Sequence, residues 1–402
     1  MKTAEILLFE ALRCAVTGTP LPWTESPDLS AQKSLARLAR AQALTPLIAQ
    51  ALDGCPAVKD SSVLATMRRE ARQITMRQAV RTGEFLLLLR ELDRRGLRPL
   101  VLKGAVCRSL YPEPEQRPST DEDLLIPPED FRAYHEALLA CGLRLLKPEE
   151  PPEEDYEVTY VDPDRDLYVE LHKLPFAPDS DAYGDCNACV DGAFSRRTAL
   201  RLYGESIDTL CPTDHLQYLL CHAYKHILYG GVGLRQICDI CLFARRYGSE
   251  IDWARVRGSC EDLKIETLAA AFFRIGERHL AIPGPAGFAD LDPEEGPLLQ
   301  DCLAGGLYGA EDLDRMHSSA LTLDAVAADR QGRRRHGLLK ALFPDAKTMS
   351  VRFPYLQKRP WLLPVAWTQR ILRYTTKNRA PTKSLHIGQE RVALLRHYGV
   401  LD

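Results

Sequence analysis

No stretch of the chain approaches the roughly 18 consecutive apolar residues that a membrane-spanning helix needs, so no membrane span is expected. Neither charge is in excess: 52 Lys and Arg stand against 55 Asp and Glu, a formal net charge of -3 over 402 residues. That balance excludes the broad basic surface of a sequence-independent nucleic-acid or anionic-membrane binder, while a local basic site stays open. Internal repeats and low-complexity tracts are also missing. Aromatic residues are few, at 7%, but 45% of the residues are hydrophobic and 27% charged, which is enough for a real core and unlike a disordered tail. A chain of this length is expected to hold two or three structural units.

The opening MKTAEILLFEALRCAVTG carries Glu5 and Glu10 inside its apolar stretch, and Ile6, Leu7, Leu12 and Val16 follow a helical spacing. This reads as an amphipathic helix rather than a secretion signal. Cysteine is plentiful, with 12 scattered residues. A chain this long needs no disulfide staples, so buried reduced thiols in a cytoplasmic protein are expected. The CxxC pairs Cys186/Cys189 and Cys238/Cys241 have the spacing of a four-thiolate zinc site. Against zinc, the second pair lies in a helical pattern whose i,i+3 spacing puts both on one face.

Organisation follows from periodicity and punctuation. Residues 1–95 read as an N-terminal helical region with helices near 2–17, 31–52 and 61–95, the last closed by Gly96. Residues 96–212 alternate: strands at 97–104, 121–127, 156–162 and 166–176, short helical turns at 105–112 and a helix at 128–142. DPDR joins the last two strands as a turn-rich link. Residues 213–285 are helical again, starting with a cap at Thr213 or Asp214 and packing on the preceding unit, and 286–402 form a mostly helical, irregular extension. The expected fold class is α+β, a small mixed or antiparallel sheet flanked by helical regions.

The most informative segment is RPSTDEDLLIP. On a strand, Asp121 and Asp123 share a face and Glu122 points the other way. Two close carboxylates repel unless a cation lies between them, and this spacing suits Mg²⁺, which completes its shell with water and phosphate oxygens. A third acid, Glu170, sits in YVELHK between Val169 and Leu171, where a carboxylate needs a partner or a task. With the two strands side by side, all three carboxylates would converge as in a two-metal site for in-line phosphoryl displacement. Positive charge comes from LKG, where Lys103 and Gly104 stand at a strand-to-helix junction open to a phosphate, and from Arg117.

The order LVLKGAVCRSLYP, RPSTDEDLLIP, YVELHKLPF resembles the DNA polymerase β-like nucleotidyltransferase superfamily, and more narrowly a bacterial family of uncharacterised nucleotidyltransferases. LLCHAYKH, GLRQICDICLF and FPYLQKRPWLLPVAWTQR look like that family too, so the resemblance spans roughly residues 30–375. It implies that Asp121, Asp123 and Glu170 hold Mg²⁺ or Mn²⁺, and that Lys103 and Gly104 form the turn that holds the phosphates of a nucleoside triphosphate such as ATP. Ala105 stands where the superfamily usually has serine, and Glu122 where an apolar residue is common between the aspartates.

His172 shares the strand face of Glu170 and orients it, touches phosphate or fills a polar edge. His222 and His226 lie i,i+4 on a helix without the glutamate of HExxH, so zinc is the lesser reading. His226 and Asp239 are expected to be hydrogen-bonded or to line a nucleotide cleft, and Arg235 to contact phosphate or substrate. The run RRRH at 333–336 reads as a solvated basic loop, with an RNA or acidic-partner contact as its alternative. The implied activity is transfer of a nucleoside monophosphate to an acceptor hydroxyl on a small molecule, a protein or RNA. The alternative is a nucleotide-binding protein of the same fold without turnover.

Overall fold

The computed structural model describes residues 1–309, 313–332, 346–350, 353–376 and 381–402. The basic run 333–336 lies outside the described residues. The architecture is α+β, with helices before and after a seven-stranded mixed sheet. Among the described residues no helix is long and apolar enough to cross a membrane.

The N-terminal region folds as α1 (Thr3–Thr17), α2 (Leu29–Ala41), α3 (Thr45–Asp53) and the 33-residue α4 (Ser62–Arg94). Asp28 and Ser61 cap α2 and α4, each side chain accepting a hydrogen bond from a backbone N–H of the first turn. The single helix expected over 31–52 is two. A proline inside a continuous helix clashes with the carbonyl four residues back. Pro46 instead lies in the first turn of α3, where its missing N–H has no helical partner to lose, and Ala43 turns to a φ of 52°. The break frees Gln42, whose side chain donates to the Cys302 carbonyl (2.8 Å) and accepts from the Leu234 N–H (2.8 Å).

The sheet order is β3-β4-β5-β2-β1-β7-β6. The expected strands appear in trimmed form as β1 (Leu100–Val101), β2 (Glu122–Leu125), β4 (Glu157–Asp162) and β5 (Leu167–His172). β3 (Arg144–Leu145), β6 (Thr198–Leu202) and β7 (Glu205–Thr209) complete it. Strands β2 and β5 run parallel with Asp123 opposite Glu170, and β4 pairs antiparallel with β5. Alternation buries Leu167, Val169 and Leu171 on one face of β5 and leaves Glu170 and His172 on the other.

Between β1 and β2 lies the short α5 (Lys103–Arg108). Glu122 does point away from Asp123, into the protein. There it ion-pairs with Arg108 at 2.6 Å, both side chains fully buried. Arg108 also donates to the Ser119 hydroxyl (2.5 Å), and Ser119 N–H donates to Gln78 of α4 (2.8 Å). Gly104 is required here: a Cβ at that position would lie 2.5 Å from Glu122 Oε2.

Helix α7 (Pro212–Tyr229) is buried along most of its length because it is apolar on more than one side. Its cap is Cys211, two residues before Thr213 and three before Asp214, the expected caps. Thr213 instead accepts from Asp252 N–H (2.9 Å), and Asp214 pairs with Arg196 (2.9 Å) and Arg255 (2.7 Å). Around it pack α8 (Leu234–Tyr247), α9 (Trp253–Asp262) and, after α10 (Glu266–Leu280) and α11 (Gly296–Gly305), α12 (Leu313–Arg330). The last carbonyls of a helix have no partner inside it. Those of α7 are taken by the C-terminal region: Arg391 reaches Ile227 and Tyr229, Thr322 reaches Leu228, and Arg315 reaches Gly230.

Arg108→Met would leave the Glu122 carboxylate buried without its cation and is expected to cost about 3–5 kcal/mol. Adding Glu122→Leu should recover most of the loss in urea unfolding. His215 offers a pH test. It is fully buried, with Thr209 Oγ1 3.2 Å from its Nδ1, and burial pulls its pKa down to about 3. The folded value lies below the unfolded one, so this stabilisation is present above about pH 6.5 and lost as pH falls from there toward the folded pKa. The loss should reach about 1.4 kcal/mol per pH unit. His215→Gln should show a shallower decline, and parallel profiles would contradict the assignment.

Candidate active site

Asp123 is the centre of the site. It is fully buried, and its Oδ1 lies 3.0 Å from Lys103 Nζ and 3.1 Å from His172 Nε2. β2 delivers the carboxylate, the β1–α5 junction delivers the lysine, and neighbouring β5 delivers the imidazole. His172 Nε2 is also 3.7 Å from Glu170 Oε2, and its Nδ1 is 3.6 Å from Glu157 Oε2. His172 thus lies among three carboxylates, with Asp123 the nearest.

The charges shape one another. Burial alone would raise the Asp123 pKa, but Lys103 and His172 outweigh it and hold the carboxyl well below its usual range. Burial opposes protonation of His172, yet its bonds to Asp123 and Glu170 raise its pKa to about 9. Lys103 is likewise held charged, burial being outweighed by Asp123. Its Nζ lies 3.1 Å from His222 Nε2, and His226 Nε2 is 3.1 Å from the same atom. Burial first, and the Lys103 charge second, keep both histidines neutral.

The site residues expected from sequence divide into those the fold brings together and those it does not. Asp123, Glu170 and His172 present donor atoms within 4.8 Å of one another, the one such group of three among the described residues. Asp121 is not part of it. Strand pairing begins at Glu122, so Asp121 precedes the regular alternation and sits half-buried at the mouth of β2. The three-carboxylate convergence becomes two carboxylates and an imidazole. Gly104 faces Glu122 rather than open space. Arg117 is bound to Asp239, with Nη2 at 2.6 Å and Nε at 3.2 Å, and Tyr111 donates to the same carboxylate (2.8 Å). Arg235 donates to the Pro118 carbonyl and to Tyr308 Oη. Arg117, Asp239 and Arg235 therefore tie α8 to the segment before β2, and Arg117 and Asp239 also line a recess beside Lys103.

Two neighbours of the site were not among its expected residues. Lys225, on α7 between the two histidines, has no ion-pair partner among the described residues; burial lowers its pKa, and its charged neighbours include Glu157 and Glu170. Tyr308 packs against His226 with its ring tilted by 37°, at 4.4 Å between ring centroids. The AYKH context holds a signal for Lys225, a lone cation between helix-face histidines. Nothing around Tyr308 marks it. The zinc readings find no support: Cys186, Cys189, Cys238 and Cys241 are buried free thiols and form no ligand group.

Asp123 Oδ2 is buried without a hydrogen-bond partner among the described residues. Lys103 and His172 both contact Oδ1, so Oδ2 is the oxygen left for a further cation or hydrogen-bond donor. The Asp123 and Glu170 carboxylates, with His172 as the group that orients them, could hold a divalent ion such as Mg²⁺ or Mn²⁺. Mn²⁺ binding, followed by its electron paramagnetic resonance signal, should weaken at least about tenfold in Asp123→Asn and Glu170→Gln. Asp121→Asn should have a smaller effect; an equal one would move the centre of the site toward the mouth of β2.

Comparison with curated proteins and with solved structures finds no match. A family model described as uncharacterised nucleotidyltransferase matches residues 29–280, which include every donor of the Asp123 cluster. The chain belongs to this uncharacterised nucleotidyltransferase family.

Proposed function

We propose that the protein is a nucleotidyltransferase that uses Mg²⁺ or Mn²⁺ to move a nucleoside monophosphate from a triphosphate such as ATP to an acceptor hydroxyl. The observation that carries this reading is the buried Asp123 carboxylate, whose Oδ2 lacks a partner while Glu170 and His172 stand beside it. Asp123 and Glu170 would hold the ion, with Asp121 adding a carboxylate at the mouth and the protonated His172 orienting the two carboxylates. When bound, the ion offsets phosphate charge and favours the leaving group.

The chain's own residues supply the rest. Lys103 stands where a cation offsets charge that develops on the phosphates. Glu170 takes the proton of the acceptor hydroxyl. The acceptor oxygen then forms the bond to the α-phosphorus, and the bond to pyrophosphate breaks. The acceptor is a small molecule, a protein or RNA, lying between the sheet and the helices from α7 onward. The free cysteines fit a reducing, cytoplasmic setting.

One observation favours binding without turnover: Ala105 follows Gly104, so the turn lacks the serine hydroxyl that the superfamily usually offers a phosphate. Two measurements decide. In calorimetry, ATP should bind at least about tenfold more tightly with Mg²⁺ than without it, and Asp123→Asn should remove that difference. Equal affinity in both conditions would refute the metal role. With α-labelled triphosphates and a panel of hydroxyl acceptors, Asp123→Asn should slow transfer by about 100-fold or more. Magnesium-dependent binding without any transfer would identify the binding protein instead.

A further inference from the structure

We infer that the helical hairpin around Trp361 is a docking site for a membrane surface rich in anionic lipids. The inference goes beyond the transferase reading and does not depend on it.

Charge points there first. Between Asp345 and Glu390 the chain carries nine Lys and Arg and no Asp or Glu, together with two of its four tryptophans. The rest of the chain is left with 43 Lys and Arg against 55 Asp and Glu. The near-neutral total therefore conceals one strongly cationic run on an acidic protein. An anionic surface attracts the run and repels the remainder, which selects one orientation of the molecule.

The fold then supplies an apolar tip. Within this run a tight turn, Pro360–Leu362, joins the helices Tyr355–Lys358 and Leu363–Thr376. Met349, Phe353, Leu356 and Ala366 pack into a small core of their own, apart from the main one, with Leu362, Leu363 and Trp367 half-buried against it. That core leaves Pro360, Trp361, Pro364 and Val365 outside. Trp361 is 71% exposed and Val365 46%. A tryptophan so far into water is costly. In a headgroup layer its ring meets acyl chains while the indole N–H keeps a polar partner. Lys358 and Arg359 precede the tip and Arg370 and Arg373 follow it, so cations for lipid phosphates flank the apolar residues on both sides.

The kind of exposed surface decides between lipid and nucleic acid. Residues 360–367, PWLLPVAW, hold no charged side chain and no side-chain hydrogen-bond acceptor. A nucleobase would stack on the one flat ring and leave the prolines and Val365 in water, with little at the tip to read its edge. Acyl chains cover ring, prolines and valine together. With no helix among the described residues long and apolar enough to cross a membrane, the contact is with its surface.

The test uses the full chain and vesicles of phosphatidylcholine, with and without an equal part of phosphatidylglycerol, read by co-sedimentation. Binding should be at least about tenfold tighter to the anionic vesicles and should weaken as salt screens the cations. Trp361→Ala should weaken it at least about fivefold, and Lys358→Gln combined with Arg359→Gln about tenfold. These variants should keep the melting temperature of the unmodified protein, since neither Trp361 nor Arg359 is buried. Tryptophan emission should shift to the blue on adding anionic vesicles, and Trp361→Phe should lose that shift while keeping most of the binding. Absence of binding to anionic vesicles would overturn the inference, as would equal binding to neutral ones or unchanged binding by Trp361→Ala. So would a polyuridylate complex, or a dimer, that Trp361→Ala abolishes in a protein indifferent to vesicles. The first would assign the tip to RNA and the second to another copy of this chain. None of these outcomes bears on Mg²⁺-dependent ATP binding, so the transferase reading stands or falls separately.

Discussion

The buried Arg108–Glu122 ion pair is the constraint on which the site depends. A carboxylate taken out of water is tolerated only with a cation in close contact, so Glu122 ties β2 to Arg108 at the end of α5. Because successive strand residues face opposite ways, anchoring Glu122 inward turns Asp123 outward. Gly104 lets α5 settle directly on Glu122, which brings Lys103 from the first turn of the same helix to Asp123. Ser119, held by Gln78, Arg81 and Arg108, connects this arrangement to the long helix α4. One hidden ion pair thus sets the distance between the two charges that define the cleft.

Charge in the cleft is arranged in layers. Asp123 sits between Lys103 and His172, Glu157 and Glu170 flank the imidazole, and the neutral pair His222 and His226 backs the lysine. Each cation shares its field with more than one acid, so a ligand entering the cluster displaces one contact without stranding the rest. The lysine thus stands between the buried acid and the two neutral histidines of α7.

Much of this was legible from residue order. The period-two alternation in DEDLL and YVELH placed Asp123 and Glu170 on comparable faces, and the apolar residues beside them marked both strands as core. The helices announced themselves through caps and apolar spacing, with Pro46 as the signal overlooked at the break between α2 and α3. The β6–β7 hairpin was hidden because its turn uses Tyr203 at a φ of 51°, not the Asn-Gly pair that usually marks such turns. Asp121 looked equivalent to Asp123 because alternation was extended one residue beyond the end of the paired strand.

By itself, the sequence determined the fold class, the helical regions on either side of the sheet, and the residue types that give the centre its chemistry. These follow from local periodicity and from the cost of placing acids beside apolar neighbours, both of which act over a few residues. Only the tertiary structure decided which groups meet. His172 joins Asp123 and Glu170, Arg117 pairs with Asp239 across 122 residues of chain, and Tyr308 reaches His226 from beyond the family-matched segment. Those pairings depend on strand register, helix packing and the close approach of Gly230 and Gly309, and no local pattern encodes a contact between residues so far apart.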